Sequence, residues 1–442
     1  MKIQLSDYFN YKKLLRFTLP SIVMMVFTSI YGVVDGLFVS NIVGSTSFAA
    51  VNFIMPVLMI LGAVGFMFGT GGSALVAKTM GQGEGEKAKR LFSLIVYTTA
   101  ISGAIIAVIA FILMRPIASL LGAEGNMLEA CVIYGRIITV ALPFYMLQFL
   151  FQSFFITAEK PTLGLIVTVI AGVTNMVLDA LFMAGFGWGL VGAAVATALS
   201  QVVGGIIPIF YFIFVRNGVL SLTKTKFDGR AIGAACINGS SELMSNIAMS
   251  LVSMVYNVQL LNYAGENGIS AYGVLMYVNF VFISVFIGYS VGASPVIGYH
   301  YGADNSAELK SLLKKSLLII GSASVLMFII AELLAVPVAA IFVGYDIELY
   351  EMTVTAFRIS SFTFIFAGIA IFGSSFFTAL NNGLISAVIS FLRTLVFQIG
   401  AVLLFSYLWG LDGIWLSIVA AEVMAVIITI IFLITNKRKY KY

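Results

Sequence analysis

Two aspartates stand inside stretches that otherwise read as lipid-soluble: Asp35 in YGVVDGLFVS, and Asp179 in NMVLDALFMAG, four residues after Asn175. An ionised side chain at the bilayer centre costs roughly 2.5–3.5 kcal/mol on insertion scales, so a carboxylate there is a functional candidate by default. Counted at about 1.5 Å per residue from the start of its apolar run, each acid reaches the same depth, in the outer half of the bilayer. Asn175 and Asp179 share one helical face, and Thr197 reaches a matching level from the other side. Two carboxylates with an amide and a hydroxyl oxygen at one level can hold H⁺ or Na⁺, because a small cation between them relieves their mutual repulsion in a low dielectric. The competing reading is that these groups only pack, or line a water cavity.

The elements that must position them are membrane helices. Hydrophobic residues make up 61% of the 442 and charged ones 10%, and the mean hydropathy is +1.07, far outside the range of soluble domains. Apolar runs long enough to cross about 30 Å of hydrocarbon predict twelve spans. They are 15–38, 48–77, 91–114, 130–157, 162–184 and 190–215, then 232–261, 270–299, 311–334, 350–378, 384–407 and 411–434. The runs lack the alternation of a membrane β-barrel, so the fold class is an all-α integral membrane protein. Pro20, Pro56, Pro143, Pro208 and Pro295 are candidate kink sites.

The net charge of +5 has a topological reading. Twenty of the 24 Lys and Arg residues, Lys2 and Arg216 among them, fall on one side of these spans. Arg115, Arg136 and Arg358 fall on the other, and Arg393 lies within a span. The positive-inside rule then puts both termini in the cytoplasm, and nucleic-acid binding is not expected. Basic residues precede the first span but no short apolar region with a small-residue cleavage site follows, so a retained helix is expected.

The chain also repeats itself. A shift of 221 residues lays MGQGEGEKAK at 80–89 on YGADNSAELK at 301–310, and WGLVG at 188–192 on WGLDG at 409–413. Six spans per repeat make the halves parallel and related by an axis along the membrane normal, an arrangement used by carriers that alternate access to a central site. The expected division is an N-terminal six-helix lobe at 1–215, a cytoplasmic linker at 216–230 and a C-terminal six-helix lobe at 231–442. Under the same shift Asp35 falls on Tyr256, Asn175 on Val396, Asp179 on Gly400 and Thr197 on Ile418. The acidic set belongs to one lobe, as a coupling site needed once would.

Among other polar residues, Glu242 in NGSSELMSN reads either as a second proton or cationic-substrate site or as a solvated carboxylate near a vestibule. Arg393 is expected to pair or snorkel, and the single histidine, His300, to be a loop residue where span 8 ends. Trp188, Trp409 and Trp415 look like interfacial anchors. Met146, Phe149 and Phe280 are candidates for an adaptable hydrophobic cleft. Cys131 and Cys236 fall near opposite faces, which speaks against a disulfide or a metal cluster. The glycine-rich stretch at 65–85 follows an apolar helix rather than a strand and lacks a GK[ST] step, so it is read as a packing element and not a phosphate cradle.

Three segments together resemble one known family: Pro20 to Asp35 as P-x14-D, the loop GGSALVAKTMGQGEGEKAK, and NMVLDALFMAGFGWGLVGAAVATALSQ at 175–201. They are similar to the multidrug and toxic compound extrusion (MATE) family over nearly the whole chain, the last segment being the most specific. The resemblance implies twelve helices in two pseudo-twofold-related six-helix bundles. It also implies an inner-membrane antiporter that expels amphiphilic, often cationic compounds in exchange for H⁺ or Na⁺. Asp35, Asn175, Asp179 and Thr197 match that family's N-lobe cation site. Other members carry an acid deeper in span 7, where this chain has small and apolar residues around Ala248. Glu242 lies one to two turns earlier, which favours coupling in the N lobe. No enzyme activity or cofactor is implied; the expected partners are a small organic substrate and the bilayer, with the chain acting as a monomer. Two alternatives stand beside this: a flippase for lipid-linked oligosaccharides or polyisoprenoid phosphates, which calls for a cationic cavity, and a receptor or scaffold, which predicts no ion flux.

Overall fold

The computed structural model describes residues 3–43, 45–215 and 218–442; Lys2 and Arg216, two of the cations counted on the terminus-bearing side, lie outside them. Apolar stretches without water to satisfy the backbone fold as helices. In the first half these are α1 (Tyr11–Ile42), α2 (Ser45–Gly81), α3 (Gly85–Leu120), α4 (Gly125–Thr157), α5 (Pro161–Asp179) and α6 (Gly189–Phe214). A π-helical turn, Ala180–Gly185, continues α5.

The second half begins with an unbroken helical run, Gly229–Gly302, whose 74 residues would measure about 110 Å if straight. It reverses at Gly265 (φ +62°, ψ −150°), a conformation open to glycine because it has no Cβ. Its arms are α7 (229–264) and α8 (266–302), and the rings of Tyr256 and Tyr272 stack across the hairpin at 5.3 Å. After α9 (Ser306–Val343), α10 is a pair, Ile347–Ser361 and Thr363–Ala379, bent by 45°. Then α11 runs from Gly383 through the π-turn Leu392–Val396 to residue 409, and Gly410 (φ +60°) reverses the chain into α12 (411–440). Two hairpins, one bent pair and seven single helices make twelve spans among the described residues. The five prolines named as candidate kink sites sit within continuous helical stretches, and the breaks fall at Gly265, Phe362 and Gly410 instead.

The pseudo-twofold relation is visible in reciprocal close approaches between α1–α6 and α7–α12. A Cβ on Gly81 would lie 2.0 Å from the Tyr299 carbonyl oxygen, and one on Gly302 would lie 2.0 Å from that of Lys78. Each pair is the other shifted by 221 residues. Gly298 meets its own counterpart, Ala77, at 3.4 Å from a built Cβ, which places the axis there. Among the described residues, every glycine that brings one bundle against the other lies toward the face that carries the termini: Gly71, Gly81, Gly239, Gly288, Gly292, Gly298 and Gly302.

Farther from that face no glycine among the described residues brings the bundles together. Glu242, Asn246, Ser250, Ser253 and Asn257 follow Gly239 up α7 at helical spacing, all half-buried. A polar stripe along a membrane helix is the lining that a ligand path between the bundles calls for.

The N-terminal segment crosses the closed seam. Ahead of α1, the Leu5 N–H donates to Glu159 Oε1 (2.9 Å) in the first bundle. The Phe9 N–H donates to Glu308 Oε1 (2.8 Å) in the second, and the Lys315 ammonium donates to the Phe9 carbonyl. His300, expected in a loop, is instead buried in the last turn of α8; its Nε2 donates to the Asp7 carbonyl (3.2 Å) and its Nδ1 accepts from Asn305 (3.4 Å). Trp415, expected at an interface, is 1% exposed in the core, because Gly413 packs against the Phe405 backbone and draws that turn inward. Trp188 and Trp409 remain half exposed near helix ends, as anchors would be. The segment 218–228 is held down as well: the Thr223 N–H donates to Ser93 Oγ (2.8 Å) and Leu220 is buried.

Candidate functional site

Gly172 sets the first bundle's polar centre. Its missing side chain lets α1 lie against α5, with Phe27 and Tyr31 filling the space a Cβ would take, 2.5 Å from the Phe27 ring. The helices run parallel, so one turn beyond Tyr31 Asp35 arrives beside Asn175 and Asp179 on α5. Asp35 is 9% exposed and Asp179 0%, and each carboxyl is close enough to act electrostatically on the other. Asn175 Nδ2 donates to Thr197 Oγ1 on α6 at 3.4 Å. The four residues singled out from the sequence therefore converge.

A fifth group was not anticipated. Tyr134 on α4, fully buried, turns its hydroxyl toward Thr197 and both carboxyls. Counting depth finds it: Tyr134 lies nine residues into its helix from the side opposite the termini, as Thr197 lies eight into α6. Tyr31 faces Asp35 and Gln148.

Four oxygens here, Asp35 Oδ1, both of Asp179 and the Tyr134 hydroxyl, are buried without a hydrogen-bond partner. Leaving buried polar atoms unmatched costs about 1–3 kcal/mol each, more when charged, which makes four of them together a candidate binding site. The equivalent position in the second bundle is a closed knot. Tyr256, counterpart of Asp35, hydrogen-bonds Gln398 Oε1 (2.9 Å) and Ser417 Oγ (2.8 Å). The π-turn beginning after Asp179 adds a local departure from α-helix, a feature frequent at functional sites.

The remaining candidates divide. Glu242 belongs to the second bundle, on the polar stripe of α7 and within electrostatic reach of Arg393. Arg393 pairs with Glu422 on α12, its Nε donating to both carboxylate oxygens at 3.0 and 2.9 Å. Met146 does not line a cleft: it is wholly buried where Gly65 of α2 and Gly103 of α3 close on α4. Phe149 is half-buried, edge-on to Phe66 (5.4 Å) and beside Tyr145 (4.7 Å). Phe280 on α8 is 44% exposed. Among the described residues no three His, Cys, Asp or Glu side chains converge, so the Asp35/Asp179 donor set is two carboxylates and neutral oxygens.

Comparison with known proteins gives one family model, MatE, matching residues 20–181 and 243–404, once in each repeat. The multidrug export protein MepA of Staphylococcus saprophyticus is 25% identical over 437 residues, covering 97% of this chain and 94% of the relative. Among solved structures, MATE in complex with MaL6 superposes with a TM-score of 0.93 at 23% identity, covering 98% of each chain. An outward-facing multidrug resistance MATE family transporter of the MOP superfamily gives 0.92 at 23%, covering 98% of this chain and 97% of that one.

Proposed function

Because this chain belongs to the MatE family of multidrug efflux transporters, membrane carriers and not enzymes, we propose that it is a cation-coupled antiporter whose coupling site is Asp35, Asn175, Asp179 and Thr197, with Tyr134 as a fifth member. The observation that carries this is the cluster of unmatched carboxylate oxygens in one bundle, set against the satisfied knot in the other.

H⁺ or Na⁺ is the transported partner, reaching the acids from the side opposite the termini. Its arrival removes the repulsion between two buried charges and so favours a conformation that the bare site does not; a carrier switches only when an ion binds its two states with different affinity. The proposed organic substrate is an amphiphilic, cationic compound, taken up in the cleft. Residues 1–215 and 231–442 act as the two moving units, joined by 216–230. The terminus-bearing face is taken as cytoplasmic on the charge count above, in the inner membrane of a bacterium, with the carrier working as a monomer. A flippase for phosphate-linked lipids is disfavoured, since Arg393 is a single cation set between two acids, Glu422 and Glu242, and a phosphate calls for net positive charge.

The test is reconstitution into liposomes with imposed pH or Na⁺ gradients and a panel of organic cations. Gradient-driven uptake that Asp35→Asn abolishes, with insertion intact, supports the assignment; uptake unchanged in that variant removes it.

A further inference from the structure

Two π-turns interrupt the helices among the described residues, and each adjoins or contains an ionisable residue within the membrane. One starts just after Asp179; the other, Leu392–Val396, contains Arg393. The second has no part in the coupling site. Arg393 lies ten residues beyond Gly383, about 15 Å along α11 from the terminus-bearing face, and its partner Glu422 is on α12. Their side chains are 16% and 5% exposed. Burying an ion pair at this depth costs more in desolvation than the pairing commonly returns, and an ionisable group inside a membrane bundle marks a ligand path by default.

The geometry leaves Arg393 half used. Its single Nε–H is shared between both Glu422 oxygens, and no protein group among the described residues accepts from its two terminal nitrogens. Glu242 lies within electrostatic reach on the polar stripe of α7, so one guanidinium is set among two carboxylates. The first bundle has no equivalent: the counterparts of Glu242, Arg393 and Glu422 are Ser21, Gly172 and Gln201.

We infer that Glu242, Arg393 and Glu422 form a second-bundle binding site for amphiphiles that carry an anionic group as well as a cationic one. The substrate's carboxylate takes the open N–H fork of Arg393, while Glu242 faces its cationic end and Glu422 holds the guanidinium in place. Arginine suits this role because its planar fork presents two parallel donors to a carboxylate. The inference rests on the export reading above and adds a substrate class to it.

A matched pair of probes tests it: tetramethylrhodamine as the free acid, a zwitterion, and as its methyl ester, a cation of nearly the same shape. Binding to the purified full-length protein is read by fluorescence anisotropy, and export by dye movement in proteoliposomes. Arg393→Gln alone strands Glu422 as an unpaired buried charge, so the decisive variant is the neutral pair Arg393→Gln/Glu422→Gln, with its fold checked by melting. The expected result is an acid-to-ester affinity ratio lower by about 10- to 100-fold in the pair, the worth of charge-assisted hydrogen bonding. Arg393→Lys should recover part of it, and Glu242→Gln should weaken both dyes with little change in ratio. An unchanged ratio in the folded pair overturns the site while leaving export of the ester intact. Wild-type protein that moves neither dye nor any other organic cation would instead bring down the export reading, and this inference with it.

Discussion

Asp35 and Asp179 face one another with oxygens that nothing in the protein satisfies, so the native state is poorer for having both. Asp179→Asn is therefore expected to abolish gradient-driven efflux and yet raise the melting temperature of the detergent-solubilised protein, by about 1 °C for each kcal/mol of repulsion relieved. A lower melting temperature would mean that the carboxyl is a structural element. Tyr134→Phe removes a buried hydroxyl that has no hydrogen-bond partner, so it should melt within about 1 °C of the parent while weakening the dependence of transport on the driving ion. The acids were legible in the sequence because charge inside an apolar run is costly and rare. Tyr134 was not, since tyrosine is common wherever a helix meets an interface. Met146 misled for a related reason: depth along a helix does not tell which face a residue is on, and here Gly65 and Gly103 close over it.

At the scale of helices, the glycines at the seam fix how closely the two bundles approach. A Cβ on Gly239 would sit 1.9 Å from the Met67 carbonyl oxygen, against backbone that cannot swing aside. Gly239→Ala and Gly302→Ala should thus wedge the terminus-bearing face apart. A cysteine placed at the buried Ala77, with Cys131 and Cys236 replaced, should then react faster with a membrane-impermeant maleimide; an unchanged rate would mean that the crossing is not the gate. Twelve spans could be read from hydropathy, because the backbone's need for internal hydrogen bonds leaves lipid-embedded chain few alternatives. Their ends could not. The predicted span 311–334 proves to be the middle of Ser306–Val343, since helices continue into water wherever capping and packing carry them. His300 was missed in the same way, buried at the last turn of a helix that outruns its apolar run.

Taken whole, the molecule is a duplication that keeps its symmetry in packing and breaks it in chemistry. Residues 3–9 add a strap across the closed seam, held by Glu159 on one side and by His300, Glu308 and Lys315 on the other. Within it, Lys13 beside Asp7 (2.8 Å) and the Gln4 N–H hold the Asp7 carboxyl below the usual carboxylate range. A lowered value in the folded state means the contribution is complete above about pH 4 and is lost as the pH falls through the native value. The Asp7 share of the protection against proteolytic nicking of the N-terminal segment should therefore be lost only under strongly acidic conditions, and Asp7→Asn should remove that step; a strongly acidic step that persists in the variant would point to another group.

The strap also orders events during synthesis. Phe9 leaves the ribosome 299 residues before Glu308, which at typical elongation rates is a wait of about 15–60 s. The first bundle is inserted and packed while its own leading segment still lacks a place to dock. The seam can thus be fastened only after the first two helices of the second bundle have emerged, so a chain that stops short of Glu308 cannot lock itself shut in the membrane.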